Sequence, residues 1–110
     1  MIPLDLSAGQ AVVVHLQNPK EKVWGILGSV QTAGIVVRGL DVAAFDDWMR
    51  EEAHGDESLV GPLTLFYPLH RVERLEVDET VGPVVSYSER FAREVGRTVR
   101  QVLGLDPDRR

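Results

Sequence analysis

The chain has 110 residues, the size of one domain, and its 44% hydrophobic and 26% charged content is that of a globular protein rather than a disordered one. Its net charge of -5 disfavours nonspecific nucleic-acid binding, and the absence of cysteine excludes disulfides, thiolate metal sites and cysteine nucleophiles. No apolar run approaches the ~20 residues that span a bilayer, and the N-terminal residues lack a secretory-signal pattern. We therefore expect a single cytoplasmic domain covering residues 1–110, with no membrane contact.

Three runs rich in β-branched residues predict three strands in the first part of the chain. These runs extend from Ala11 to Leu16, from Lys22 to Val30 and from Ile35 to Leu40. Turn residues separate them, with Asn18-Pro19 after the first run and Gly34 before the third.

A helix is predicted next, from about Val42 to Ala53. Here the apolar residues no longer recur at every second position, as in a strand, but at every third or fourth position, as in a helix. Phe45, Trp48 and Met49 follow the i, i+3, i+4 pattern and share one helix face. Asp41 is placed to cap the N-terminus of this helix.

Two further strands are predicted, from Leu63 to Tyr67 and from Arg71 to Val77. The bend between them falls at about Pro68 to Arg71, because proline has no N–H to give to a strand ladder. Val72 does not fit the alternation of apolar and polar residues that Leu75 and Val77 follow.

A long C-terminal helix is predicted from Ser86 to Gly104. Ser86 and Glu89 have the spacing of a capping box, and Gly104 is placed to end the helix. Five short strands with a shared core suggest a small, strongly bent barrel. The predicted fold is therefore mainly β with α: a five-stranded barrel, a helix inserted between strands 3 and 4, and a long C-terminal helix.

The segment from Leu4 to Glu79 resembles the Sm-like family, in which five strands wrap into a small open barrel. The first family motif is an apolar strand, a turn and a strand of the form G-x-L, and AVVVHLQNPKEKVWGIL places Gly25 and Leu27 in that pattern. The second motif joins the fourth and fifth strands through a tight turn, a place that LFYPLHRVERLEV occupies here. The resemblance implies an Sm-like or SH3-like barrel and ring assembly by pairing of edge strands.

The family's RNA pocket is not carried over intact. Sm-like RNA binders usually have an aspartate after the second strand and an asparagine early in the third, where this chain has Gln31 and Ile35. The second motif usually ends in an Arg-Gly pair, and here it has His70-Arg71. A ring-forming scaffold is therefore the main expectation, and RNA binding is the alternative.

Two groups of residues are candidates for RNA binding. His70 could stack on a base and Arg71 could reach a phosphate, with Gln31 nearby, unless the turn only presents polar side chains to solvent. A stripe of arginines opposite the apolar face of the predicted C-terminal helix could follow a phosphate backbone. It consists of Arg90, Arg93, Arg97 and Arg100. The other interpretation is a solvent face paired with Glu89 and Glu94.

The apolar edge around the predicted bend is the candidate for self-association into a homo-oligomer. Unpaired strand edges in a small barrel invite pairing with another chain. The candidate interface residues are Leu65, Phe66, Tyr67, Leu69 and Val72.

Charge is distributed unevenly along the chain. Residues 41–58 contain seven acids and one base, whereas residues 86–110 contain six arginines and four acids. This asymmetry could let copies of the chain stack, or could leave a local basic surface. The acidic group could also bind a divalent cation, but the sequence gives no reason for its oxygens to converge, so a solvated helix face is favoured.

No sequence pattern indicates an enzyme. The chain contains no GxSxG, P-loop, GxGxxG or HExxH motif. Trp24 and Trp48 are expected in the core or in a subunit interface rather than as a stacking platform. We expect a non-enzymatic protein without a metal or a cofactor.

Overall fold

The computed structural model describes residues 6–55 and 59–105, which form a five-stranded antiparallel sheet and three helices. The strands are β1 (Ala11–Leu16), β2 (Glu21–Val30), β3 (Gly34–Asp41), β4 (Leu63–Pro68) and β5 (Val72–Val77). The helices are α1 (Val42–Ala53), α2 (Tyr87–Val95) and α3 (Val99–Val102), and a 3₁₀ turn at Leu69–Arg71 joins β4 to β5.

The strand order in the sheet is β4-β3-β2-β1-β5. The five predicted strands and the helix inserted after β3 are confirmed. β4 and β5 follow each other in the chain but lie at opposite edges of the sheet, and in the described residues no ladder joins them. The sheet is therefore not closed.

One face of the sheet, here called the inner face, is lined by apolar side chains from all five strands. Its buried members are Val12, Val14, Leu16, Val23, Leu27, Ile35 and Val37, with Leu65, Tyr67, Val72 and Leu75 packed against them. Side chains of the two edge strands can reach one cluster only if the sheet curls. Burial of each large apolar side chain contributes about 1.5–3 kcal/mol, so this cluster is a main source of stability.

A β-bulge explains the phase of Val72. Leu75 pairs with Val14 and Arg74 pairs with His15, but the next residue of β1, Leu16, pairs with Val72. One residue of β5 is therefore extra, and the side-chain alternation is reset. The reset turns Val72 toward the inner face, where the sequence alternation alone would point it away.

Two glycines let β2 and β3 approach closely at the centre of the sheet. Gly25 and Gly39 are directly paired. A Cβ atom on Gly39 would overlap the carbonyl oxygen of Trp24 and would lie 3.0 Å from the Cα of Gly25. The position therefore has no room for any side chain.

The opposite face, here called the outer face, is covered by the helices through an aromatic cluster. Trp24 and Trp48 are 0% and 2% exposed, which confirms them as core residues. The Phe45 ring contacts both indoles with centroid distances of 5.1 and 5.6 Å, and Phe91 of α2 lies 4.6 Å from Trp48. The apolar positions of α1 therefore pack as their helical spacing predicts.

The prediction of one long helix from Ser86 to Gly104 is wrong, because the chain breaks after Val95. Gly96 adopts a left-handed conformation with φ 83°, which ends α2. Thr98 then caps α3, and its side chain and that of Gln101 form a reciprocal capping box. Ser86 does cap α2 by accepting a hydrogen bond from the backbone N–H of Glu89.

Asp78 joins the sheet to α2 through four hydrogen bonds. Its carboxylate accepts from the Trp24 indole Nε1–H at 3.0 Å and from the backbone N–H of Tyr87 at 2.9 Å. It also accepts from the backbone N–H and the hydroxyl of Ser88, at 2.9 and 2.7 Å. A negative charge at a helix N-terminus is favourable, so Asp78 both fixes the start of α2 and satisfies a buried indole.

Candidate functional site

The two open edges of the sheet, β4 and β5, are the most prominent unpaired features of the described residues. Each has one neighbouring strand, β3 for β4 and β1 for β5. β4, with the sequence LTLFYP, contains no charged residue, whereas β5 contains Glu73, Arg74 and Glu76. Edge strands are usually protected from pairing by charged side chains, so β4 is the less protected edge.

The five predicted interface residues divide into two groups. Phe66 and Leu69 are 50% and 52% exposed. Leu65, Tyr67 and Val72 are partly buried against the inner face of their own sheet. Leu63, which is 66% exposed at the start of β4, was missed, although its alternation with Thr64 in an uncharged strand was visible in the sequence.

Tyr67 packs on the inner face, and its phenol is influenced by charged groups. Burial raises the pKa of the Tyr67 phenol above its ordinary value, and the negative charges of Asp41 and Glu21 raise this pKa further, while Arg71 lowers it. Burial and negative charge therefore both favour the neutral phenol of Tyr67. This placement gives Tyr67 a role in packing within the chain.

Arg71 holds the loop between β1 and β2. Its Nε donates to the carbonyl oxygen of Gln17 at 2.8 Å, and its terminal nitrogen lies 2.5 Å from a carboxylate oxygen of Glu21. The same nitrogen donates to the carbonyl oxygen of Pro19, which follows a cis peptide bond, at 3.4 Å. These contacts give the Arg71 guanidinium a structural role. His70 next to it is exposed, and its carbonyl oxygen accepts a hydrogen bond from the Gln17 side chain.

We expect Arg71→Ala to lower the free energy of unfolding by about 1–2 kcal/mol, because the Glu21 carboxylate and two carbonyls lose a donor whose side chain is only 22% exposed. Urea denaturation measures this loss. Arg74→Ala is the matched control, since Arg74 is 60% exposed and pairs with Glu76 at the surface. Equal stability of the two variants would contradict a structural role for Arg71.

The four arginines predicted as a stripe do not lie on one helix, and each has a partner. Arg90 and Arg93 are in α2, Arg97 lies between the helices and Arg100 is in α3. The pairs are Arg90 with Asp46 at 3.0 Å, Arg93 with Glu89 at 2.8 Å, and Arg97 with Glu52 at 3.4 Å, while Arg100 donates to the carbonyl oxygen of Gly9 at 2.7 Å. Arg90 also lies over the rings of Phe45 and Tyr87. The guanidiniums are thus engaged within the chain.

Gln31 lies in the turn between β2 and β3. Its side chain donates to the Ser29 hydroxyl at 3.0 Å, and its backbone pairs with that of Gly34. Among the predicted RNA-binding residues that the structure describes, His70 is therefore the one whose exposed side chain has no hydrogen bond or ion pair.

The acidic residues of α1 are also occupied by partners. Asp47 pairs with Arg50, and Asp46 and Glu52 pair with arginines of the C-terminal part. Glu51 accepts a hydrogen bond from the backbone N–H of Leu59 at 2.6 Å. In residues 6–55 and 59–105, no three His, Cys, Asp or Glu side chains converge as a metal site would require. Asp56 and Glu57 lie outside the described residues.

Comparisons with known proteins add no relative. No family model matches the chain, and neither a curated protein nor a solved structure is significantly similar to it. Within the described part of the chain, the helices are too short and too polar to traverse a bilayer.

Proposed function

We propose that this protein is a non-enzymatic scaffold that assembles with copies of itself through the edges of its sheet. The observation that carries the proposal is the pair of open edges, of which β4 is uncharged. Backbone N–H and C=O groups at such an edge gain hydrogen bonds when a strand of another chain is added.

The assembly that fits two different edges is heterologous, with β4 of one copy beside β5 of the next. Such a contact repeats from copy to copy and closes into a ring when the rotation between neighbours permits it. The curled sheet and the uninterrupted order β4-β3-β2-β1-β5 support an Sm-like open barrel as the repeating unit, in line with the motifs at Gly25 and at the β4–β5 turn. Exposed Leu63 and Phe66 on β4 and Leu69 beside it would add apolar contact to the strand pairing.

Light scattering behind a sizing column tests the proposal. We expect a mass of several protomers for the natural chain and a clear shift toward monomer for Phe66→Lys, because a charge would be buried in the contact. The matched control is Leu59→Lys, which changes an apolar residue that is 91% exposed and lies outside the strands. Its mass should equal that of the natural chain.

A natural chain that remains monomeric at high concentration contradicts the proposal, as does equal dissociation of both lysine variants. Absorbance at 260 and 280 nm on the same peak addresses RNA binding, the alternative function. An assembled peak with raised 260 nm absorbance would favour an RNA-binding assembly, with exposed His70 as its first candidate contact.

A further inference from the structure

A cavity of about 330 Å³ opens on the outer face of the sheet, at the side of α3. Its floor is apolar and comes from Ile26 and Val36. Arg38 and Thr64, which are cross-strand partners on β3 and β4, form one wall. The volume is at the lower end of the range of small-molecule sites, about 300–1,000 Å³.

The cavity is built by features that hold its walls in place. Gly28 is the extra residue of a bulge in β2, and a Cβ atom there would lie 3.1 Å from the carbonyl oxygen of Val36. Gly28 lines the cavity and has no side chain that could occupy it. The opposite wall is the turn at Gly9, whose N–H donates to the Leu27 carbonyl at 2.7 Å and whose carbonyl accepts from Arg100 at 2.7 Å.

The charge of the cavity is opposite to that of the whole chain. Two cations, Arg38 and Arg100, line it, and no carboxylate is among its described lining residues, although the chain has a net charge of -5. Arg38 is also exceptional among the described arginines, because it is exposed and has no hydrogen bond or ion pair within residues 6–55 and 59–105. Six others each pair with a carboxylate: Arg50, Arg71, Arg74, Arg90, Arg93 and Arg97.

We propose that this cavity binds a small amphipathic carboxylate, with its aliphatic body on the apolar floor and its carboxylate held by Arg38. A guanidinium presents two parallel N–H donors that match the two oxygens of one carboxylate. The Thr64 hydroxyl, on the cross-strand partner of Arg38, supplies a further donor on the same wall. One guanidinium without a partner matches a single negative charge better than it matches a phosphate dianion.

Isothermal titration calorimetry of the 110-residue chain with sodium octanoate tests this inference. We expect saturable binding of one octanoate per chain, with no detectable heat from octanamide, which has the same body without the charge. Arg38→Gln should weaken octanoate binding by about 10–100-fold, because a hydrogen bond to a charged group contributes about 1.5–3 kcal/mol. Arg50→Gln is the matched control, since Arg50 is an exposed arginine on α1 away from the cavity, and it should bind as the natural chain does.

Several results would overturn the inference. They are the absence of saturable octanoate binding, equal binding of octanoate and octanamide, and equal weakening by Arg38→Gln and Arg50→Gln. Val36→Asp gives an independent test, because it places a negative charge on the cavity floor beside the aliphatic body. Unaltered octanoate binding by a folded Val36→Asp variant would show that the ligand lies elsewhere.

Discussion

Asp78→Ala is expected to lower the free energy of unfolding by about 3 kcal/mol or more, the largest loss for any exchange of a polar side chain described above. The substitution removes the acceptor for the Trp24 indole, for two N–H groups of α2 and for the Ser88 hydroxyl. The indole is the costly one, because Trp24 is 0% exposed and its N–H loses its acceptor. Urea denaturation followed by tryptophan fluorescence measures both the stability and the environment of the indole.

Two further variants isolate the cause of this loss. Asp78→Asn keeps an oxygen acceptor but removes the charge at the N-terminus of α2, so it should lose about half as much stability as Asp78→Ala. Glu79→Ala removes an exposed acid from the next position and should stay within about 0.5 kcal/mol of the natural chain. A loss at position 79 as large as that at position 78 would mean that charge in this segment, rather than the Asp78 hydrogen bonds, sets the stability.

Gly39→Ala is expected to destabilise the fold by at least about 3 kcal/mol and to leave little folded protein in a marginally stable chain. The added methyl group would collide with backbone atoms of Trp24 and Gly25, which cannot rotate away as a side chain can. The collision separates β2 from β3 at the centre of the sheet, where both faces are packed. Circular dichroism with thermal unfolding measures the effect.

Gly61→Ala is the control for the intrinsic effect of replacing glycine by alanine. A Cβ at Gly61 would make only ordinary contacts, 3.9 Å from the Trp48 indole nitrogen and 4.0 Å from a ring carbon. We expect this variant to be as stable as the natural chain or slightly more so, since alanine restricts the unfolded state. Equal melting temperatures of Gly39→Ala and Gly61→Ala would contradict the claim that β2 and β3 lie too close at Gly39 to admit a side chain.

The strands and α1 were predictable because their signals are local. Runs such as AVVVHL and the turn at Asn18-Pro19 predict the strand ends within a residue or two. Asp41 and His54 flank α1, but the Asp41 side chain accepts no capping hydrogen bond, so its predicted capping role is wrong. The break in the last helix was not predicted, because Val95 and Val99 both pack on the same cluster and the apolar spacing runs through the break. Gly96 and the Thr98–Gln101 capping box were the signals that could have revealed it.

The site was less predictable than the fold because its interactions join distant segments. The uneven distribution of charge was visible in the sequence. The ion pairs that it forms between α1 and the C-terminal residues were not, because they depend on the packing of the helices over the sheet. Arg71 is separated by some fifty positions from the loop that it holds. Arg38 could not be distinguished from other arginines until the partners of those arginines were known.

The position of β1 between β2 and β5 has a consequence for synthesis of the chain. Val12 can pair with Gly25 almost as soon as both have left the ribosome, but its second partner, Val77, is translated much later. Until β5 is translated, the growing chain exposes the unpaired edge of β1, which carries the apolar residues Val12, Val14 and Leu16. A nascent chain in this state is a natural client for chaperones, and slow translation before β5 would lengthen the period of risk.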